Sequence, residues 1–243
     1  LLKYLEFKMS YLDMSSGQVV AHAPASERTA FLRRTYLHVA GAIAGFAALE
    51  TYFISSGIAA SFMGVLSSSG MSWFLVLAAF MGISYVADKW ARSEVSPQMQ
   101  YAGLGLFVVA EAIIFMPMLY IASTYAPDVI PQAGVATVAL VAGLTFTAFS
   151  TKKDFSFLAP ALAIGGMVAL GLIVASMIFG FSLGLVFAGA MVLLAAGSIL
   201  YTTSNMIHHY HTGQHVAASL SLFASVGMMF YYLVFFFMNL SGD

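Results

Sequence analysis

Glu50 and Glu111 are the two acidic residues that lie within the long apolar stretches of this 243-residue chain. A charged side chain at the centre of a bilayer costs at least about 2.5–3.5 kcal/mol, so such residues are usually paired or functional. If the two carboxyls face each other, they can share one proton and form a proton-sensitive switch or a cation site. The alternative is that both glutamates are protonated and form a structural lock between two helices.

Four histidines lie in the polar connection before the last apolar stretch: His208, His209, His211 and His215. His211 and His215 are four residues apart and could bind a metal ion if they shared one helix face. The chain has no cysteine, and no carboxylate lies near these histidines to complete a ligand set. We therefore expect no metal site here and a loop that gains positive charge below about pH 6.5.

Motifs typical of catalysis are missing from the sequence. It contains no Gly-rich phosphate loop, no His-Glu-x-x-His sequence and no nucleophile elbow. With 9 Lys+Arg against 10 Asp+Glu, the chain has no basic face for nucleic acid. We expect a protein that is not an enzyme, that needs no cofactor and whose main surroundings are the lipid bilayer.

Membrane helices must position all these residues. The chain is 61% hydrophobic and 8% charged, whereas soluble domains have about 25% charged residues. A membrane helix needs about 20 apolar residues, and seven such stretches occur, at roughly 35–57, 71–87, 101–122, 131–150, 158–178, 181–203 and 215–240. Lipid offers no partner to backbone polar groups, so each stretch should form a helix. This predicts an all-α polytopic protein with seven transmembrane helices in one domain (31–240), preceded by an N-terminal tail (1–30).

The positive charges all fall on one side of this arrangement. They precede the first span, follow the second or follow the fourth: Lys3, Lys8, Arg28, Arg33, Arg34, Lys89, Arg92, Lys152 and Lys153. Positively charged loops stay in the cytoplasm. We therefore expect a cytoplasmic N-terminus and, after seven spans, a C-terminus outside.

Three segments carry a family resemblance. They are the basic entry to the first span (31–36), the connection after the fourth span (150–158) and the end of the sixth span (201–208). Their characteristic residues are Lys152, Lys153 and Asp154 in the second segment, and Thr202, Thr203, Ser204, Asn205 and His208 in the third. With these motifs in place, the chain resembles the Bax inhibitor-1 (transmembrane Bax inhibitor motif) family, and most of all its bacterial YccA-like branch.

The resemblance implies six helices around a central seventh, and it implies two functions. Many members are described as proton-sensitive calcium leaks controlled by an aspartate pair. The matching positions here are Thr202 and Ser225, which cannot ionise, and this argues against that mechanism in this chain. YccA-type members instead resemble modulators of FtsH, a membrane-anchored AAA protease, with the cytoplasmic tail as a handle. The polar composition of residues 9–30 is consistent with such a tail.

We therefore expect a non-enzymatic, YccA-like modulator of a membrane AAA protease in the bacterial cytoplasmic (inner) membrane. Two alternatives remain open. The first is a proton-sensitive cation conduit that uses Glu50 and Glu111. The second is an accessory subunit of a larger membrane complex.

Overall fold

Helices make up nearly all of the part of the chain that the structure describes. The computed structural model describes residues 17–93, 96–151 and 153–241. Its eight α-helices are α1 Ala25–Ser55, α2 Ile58–Ser67, α3 Gly70–Ala91, α4 Pro97–Tyr125, α5 Val129–Thr151, α6 Ala159–Phe179, α7 Gly184–His208 and α8 His215–Ser241. All of them except α2 are long and apolar enough to cross a membrane. The predicted all-α architecture with seven membrane helices is confirmed.

Local sequence explains several helix ends. The side chain of Ser69 accepts a hydrogen bond from the Met71 N–H at the start of α3, and Ser96 precedes Pro97 at the first position of α4. Serine satisfies free backbone donors at a helix start, and proline is favoured at the first helical position. Gly180 ends α6 with a φ of +71°, a left-handed conformation that glycine adopts without strain.

Two features at the start of the chain were not predicted. Helix α2 lies in what the sequence suggested was a plain connection between the first two spans. It has 10 residues, which at 1.5 Å per residue is too short to cross a bilayer. Helix α1 begins at Ala25, inside the expected tail, and a short 3-10 turn at Val20–His22 precedes it. The folded part therefore starts earlier than residue 31.

The last helix, α8, occupies the centre of the bundle. It packs against α1, α3, α4, α5 and α7, whereas α6 packs chiefly against α7. Side chains of α8 at Val216, Met229 and Val234 are completely buried. Large apolar side chains point outward elsewhere, as at Val186, which is 88% exposed. This matches a bundle around a central helix, with its outer surface suited to lipid.

Helices α3 and α4 approach each other very closely. A Cβ atom added to Gly103 would lie 2.6 Å from both the Ala87 carbonyl oxygen and the Ala91 nitrogen. Small residues permit such contact between membrane helices, where no hydrophobic effect drives association. This contact fixes the end of α3, and with it the position of Arg92.

Candidate functional site

The two family-like motifs meet at one end of the bundle. Oδ1 of Asp154 accepts hydrogen bonds from the Ser156 N–H (2.9 Å) and the Ser204 hydroxyl (3.3 Å). The Ser204 oxygen accepts from the Phe155 N–H at 2.8 Å. Oδ2 of Asp154 lies 3.3 Å from Nε2 of His209. These bonds attach the turn between α5 and α6 to the end of α7.

The same hydrogen bonds stabilise Asp154 as a carboxylate. The Ser156 backbone N–H has the largest effect in holding the pKa of Asp154 below its ordinary value, and His209 and Ser204 act in the same direction. The side chains of His209 and Asp154 are 52% and 42% exposed, so solvent screens this pair strongly. Its neighbour Lys153 is exposed, and Lys152 lies outside the described residues. Asp154 therefore acts mainly as a hydrogen-bond acceptor.

Thr202 and Ser225, the positions matching the aspartate pair, are brought together in the structure. Their hydroxyl oxygens are 3.1 Å apart, and Ser198 lies 3.0 Å from Ser225. Ser225 donates its only hydroxyl hydrogen to the Ser221 carbonyl oxygen at 3.0 Å. Its oxygen therefore accepts from both Ser198 and Thr202. This hydroxyl cluster (Ser198, Thr202, Ser225) is neutral and satisfied, and it has no proton to release at physiological pH.

A cavity of about 730 Å³ adjoins the hydroxyl cluster. It extends from Ser225 towards Arg92 and the connection between α7 and α8, and the first turns of α6 form its outer wall. Its polar lining includes Arg92, Asn205, His209 and Gln214. Among the described residues that line it there is no Asp or Glu. The cavity therefore lacks the carboxylates that divalent cations favour.

Arg92 is held at the edge of this cavity. Its Nε donates to both Asp88 oxygens at 2.9 Å, and Nη2 lies 3.5 Å from the Ser221 hydroxyl. The guanidinium sits 5.8 Å from the centre of the Tyr210 ring, in cation–π geometry. The hydrogen bond to Asp88 is the main cause that raises the pKa of Arg92, so the side chain is always charged.

Glu50 and Glu111 are both buried, at 4% and 6% exposure, but their surroundings differ. The Glu111 carboxyl faces the central helix, where a Cβ added to Gly227 would lie 3.6 Å from Oε2. Both oxygens of Glu50 are buried without a hydrogen-bond partner among the described residues. No hydrogen bond joins the two glutamates in the described part of the chain.

His211 and His215 do not share a helix face. His215 is the first residue of α8, and the centroid of its ring lies 5.2 Å from that of the His38 ring. The Tyr101 ring stacks on the His38 ring with 5.4 Å between centroids, and the Tyr101 hydroxyl is 3.4 Å from Nε2 of His215. His211 instead pairs with Val19 in an isolated β-bridge. Within residues 17–93, 96–151 and 153–241, no group of three or more His, Asp or Glu side chains could hold a metal ion.

A short N-terminal segment, residues 17–23, packs on the connection between α7 and α8. The Val20 N–H donates to the Tyr210 carbonyl at 2.9 Å, and the Thr212 N–H donates to the Gln18 carbonyl at 3.0 Å. Val20 is completely buried, in a cluster with Phe31, Met206, Tyr210 and Leu222 among others. We call this pairing the N-terminal contact. It places part of the expected tail against the bundle.

Thr202, Asn205 and Ser225 were named from the sequence as motif positions, and they line the cavity. Sequence reasoning missed the place of Arg92, Tyr210, Ser198 and Ser221 in the same lining. One signal was present: Ser198 and Thr202 are four residues apart, and so are Ser221 and Ser225. That spacing puts each pair on one helix face. It does not show that the two faces meet.

Comparison with known proteins gives one family and several distant relatives. The family model described as "Inhibitor of apoptosis-promoting Bax1" matches residues 28–242. An uncharacterized protein of Pseudomonas aeruginosa is 29% identical over 224 residues, which cover 92% of this chain and 95% of that protein. The "Modulator of FtsH protease YccA" of Escherichia coli K12 is 28% identical over 192 residues, 74% of this chain and 84% of that protein. Arabidopsis thaliana "Protein LIFEGUARD 4" is 29% identical over 218 residues, 86% and 85%. No solved structure matches.

Proposed function

Because the chain belongs to the Bax inhibitor-1 family, we propose that it is a non-enzymatic modulator of a membrane-anchored AAA protease of the FtsH type. Its place is the bacterial cytoplasmic membrane, with the N-terminus on the cytoplasmic side. One relative is named as a modulator of FtsH protease and another as an inner membrane protein. The seven apolar helices fit a multi-pass protein.

The N-terminal contact is the observation that supports this role. A protease that engages residues 1–16 must break the pairing of Val20 with Tyr210 before it can pull on α1. The contact thus gives a point at which extraction slows, as expected of a substrate that occupies a protease for a long time. Since residues 17–30 pack on the bundle or belong to α1, we restrict the proposed handle to residues 1–16.

The polar centre of the bundle also favours a modulator over a calcium leak. The hydroxyl cluster carries no charge, and the cavity beside it is lined by Arg92 with no Asp or Glu among its described lining residues. Calcium binds through oxygen ligands that include carboxylates. A cation entering this cavity would meet a fixed positive charge instead.

Degradation in membranes tests the proposal. The full chain and a variant without residues 2–16 are each produced with an FtsH-type protease, and their half-lives and that of a second membrane substrate are followed. We expect the full chain to be degraded slowly and to delay the second substrate, and the shortened variant to be stable. Equal half-lives of both forms, together with no delay of the second substrate, would refute a tail-dependent interaction. Stable co-purification with other membrane subunits instead of the protease would indicate an accessory subunit.

A proton-sensitive cation conduit is the second candidate, and the burial of Glu111 against Gly227 of the central helix is the observation that favours it. Glutamine keeps the size and hydrogen bonding of the side chain, so Glu111→Gln should fold normally. Cation flux across the membrane of liposomes that contain the purified protein is measured between pH 5 and 8 for the unmodified protein, Glu111→Gln and Glu50→Gln. A conduit requires pH-dependent flux in the unmodified protein that Glu111→Gln abolishes, and unchanged flux excludes Glu111 as its gate.

A further inference from the structure

The cavity beside the hydroxyl cluster is rich in hydrogen-bond donors. A guanidinium has five N–H groups. In Arg92, Nε is engaged by Asp88, one Nη2 hydrogen approaches Ser221, and the Tyr210 side chain lies beside the guanidinium. At least two of the five N–H groups therefore remain for another acceptor. Asn205 and His209 add donors to the same lining. This chemistry favours a ligand that carries acceptor oxygens.

Two described carboxylates that bond to lining residues, those of Asp88 and Asp154, do not themselves line the cavity. Asp88 is bonded to Arg92, and Asp154 is bonded to the turn before α6 and to His209. Neither belongs to the described residues that line the cavity. The guanidinium of Arg92 therefore lines the space, whereas the carboxylate bonded to it does not.

One side of the cavity is lined by α6. Ala159, Leu162 and Ala163 come from the first turns of α6, a helix that packs chiefly against α7 and leaves space beside the central helix. A helix N-terminus also carries a partial positive charge. Because this end of the bundle bears Lys89 and Arg92, it lies at the depth where the headgroups of the inner leaflet are expected.

We propose that this cavity binds a phosphate group, with Arg92 as its charged donor. Arginine recognises phosphate oxygens through two parallel N–H bonds, and the volume of about 730 Å³ is within the range of small-molecule sites. The phosphate belongs either to an anionic phospholipid that enters past α6 or to a soluble phosphate ester from the cytoplasm. This inference is independent of the protease-modulator role.

Binding to the purified full chain tests the site. The probes are phosphatidylglycerol in mixed detergent micelles, phosphatidylcholine as the zwitterionic lipid, glycerol 3-phosphate and calcium. Each is added to the protein in increasing amounts, and the shift in its thermal unfolding temperature is measured. Arg92→Gln removes the charged donor. Lys89→Gln is the matched control, because Lys89 is exposed near the end of α3 and does not line the cavity. Ala163→Trp fills the cavity from an exposed position on α6 and leaves Arg92 intact.

We expect one phosphate probe to bind saturably, about tenfold or more weakly to Arg92→Gln and Ala163→Trp, and unchanged to Lys89→Gln. Binding of phosphatidylglycerol alone identifies a lipid source, and binding of glycerol 3-phosphate identifies a soluble one. Should Arg92→Gln fail to fold, the comparison of Ala163→Trp with Lys89→Gln decides the question. Equal binding by all variants, no saturable binding by either phosphate probe, or stabilisation by calcium that Ala163→Trp removes would overturn the proposal.

Discussion

Replacing Val20 by alanine should weaken the N-terminal contact and leave the membrane bundle intact. Val20 is completely buried, and its neighbours belong to α1, α7 and α8 and to the connection between α7 and α8. The substitution removes two buried methyl groups, each worth about 0.8 kcal/mol. The contact therefore loses about 1.5 kcal/mol, which increases its open population about tenfold.

Hydrogen exchange at two backbone amides measures this opening. The amides of Val20 and Thr212 donate across the contact to Tyr210 and Gln18, so both should exchange about tenfold faster in Val20→Ala. Amides in the middle of α8 should be unaffected, because they do not depend on the segment. Gln18→Ala is the matched control, since Gln18 is exposed and contributes only its backbone carbonyl.

Two results would refute this reasoning. If the Thr212 amide exchanges equally fast in Val20→Ala and Gln18→Ala, burial of Val20 does not hold the segment in place. If exchange speeds up throughout α8 as well, the segment is part of the global fold instead of a separate contact. Under the proposed function, Val20→Ala should also shorten the half-life in the presence of the protease by up to about tenfold, whereas Gln18→Ala should not.

Three further predictions concern packing, hydroxyl direction and charge, and thermal unfolding in detergent checks each one. Gly103→Ala should lower the free energy of unfolding by about 1–3 kcal/mol, because the new methyl group meets backbone atoms. Gly105→Ala, whose added Cβ would have nothing within 4 Å, should be neutral or slightly stabilising. Equal effects of the two substitutions would contradict the close approach of α3 and α4. Ser225→Ala leaves the hydroxyls of Ser198 and Thr202 without their acceptor and should lower the free energy of unfolding by about 1–3 kcal/mol. Thr202→Val should lower it by less, about 1 kcal/mol. The reverse order would disprove the assignment of Ser225 as the acceptor. The pKa of Asp154 is lowered in the folded state, so its stabilising effect should be complete above its ordinary value of 3.8 and disappear as the pH falls through the lowered value. Asp154→Asn should therefore be less stable than the unmodified protein at neutral pH, and the difference should shrink as the pH falls through the lowered pKa of Asp154. A difference that stays constant as the pH falls into the acid range would contradict an ionic origin.

Apolar length made the membrane helices predictable. Each span exceeds what a bilayer requires, and lipid permits no other spanning structure for such segments. Helix α2 was missed because its 10 residues are too few to give the signal of a membrane span. The N-terminal contact escaped for a different reason: it depends on a single buried side chain, Val20, and on backbone pairing with residues far away in the sequence.

The candidate site was predictable only where motifs carried it. Asp154 and Ser204 were identified as motif residues, and the structure shows that they bond to each other. Arg92 counted only as a topological charge, because the sequence does not tell which way a residue at a helix end points. Glu50 and Glu111 were chosen for their cost in lipid, and that criterion gives depth along the helix but not rotation about its axis.

The hydroxyl cluster and Arg92 together change what the centre of this fold can bind. A pair of acidic residues between α7 and α8 would attract cations and release protons, and its charge would depend on pH. Thr202 and Ser225 occupy the same place with a neutral hydrogen bond of 3.1 Å, so they add no negative charge to the one that Asp88 already supplies to Arg92. If acidic side chains were restored at both positions, they would compete with any phosphate for Arg92. The double variant Thr202→Asp/Ser225→Asp should therefore lose phosphate binding and gain pH-dependent cation binding in one step, and retention of phosphate binding would show that the cluster does not determine the charge preference of the cavity.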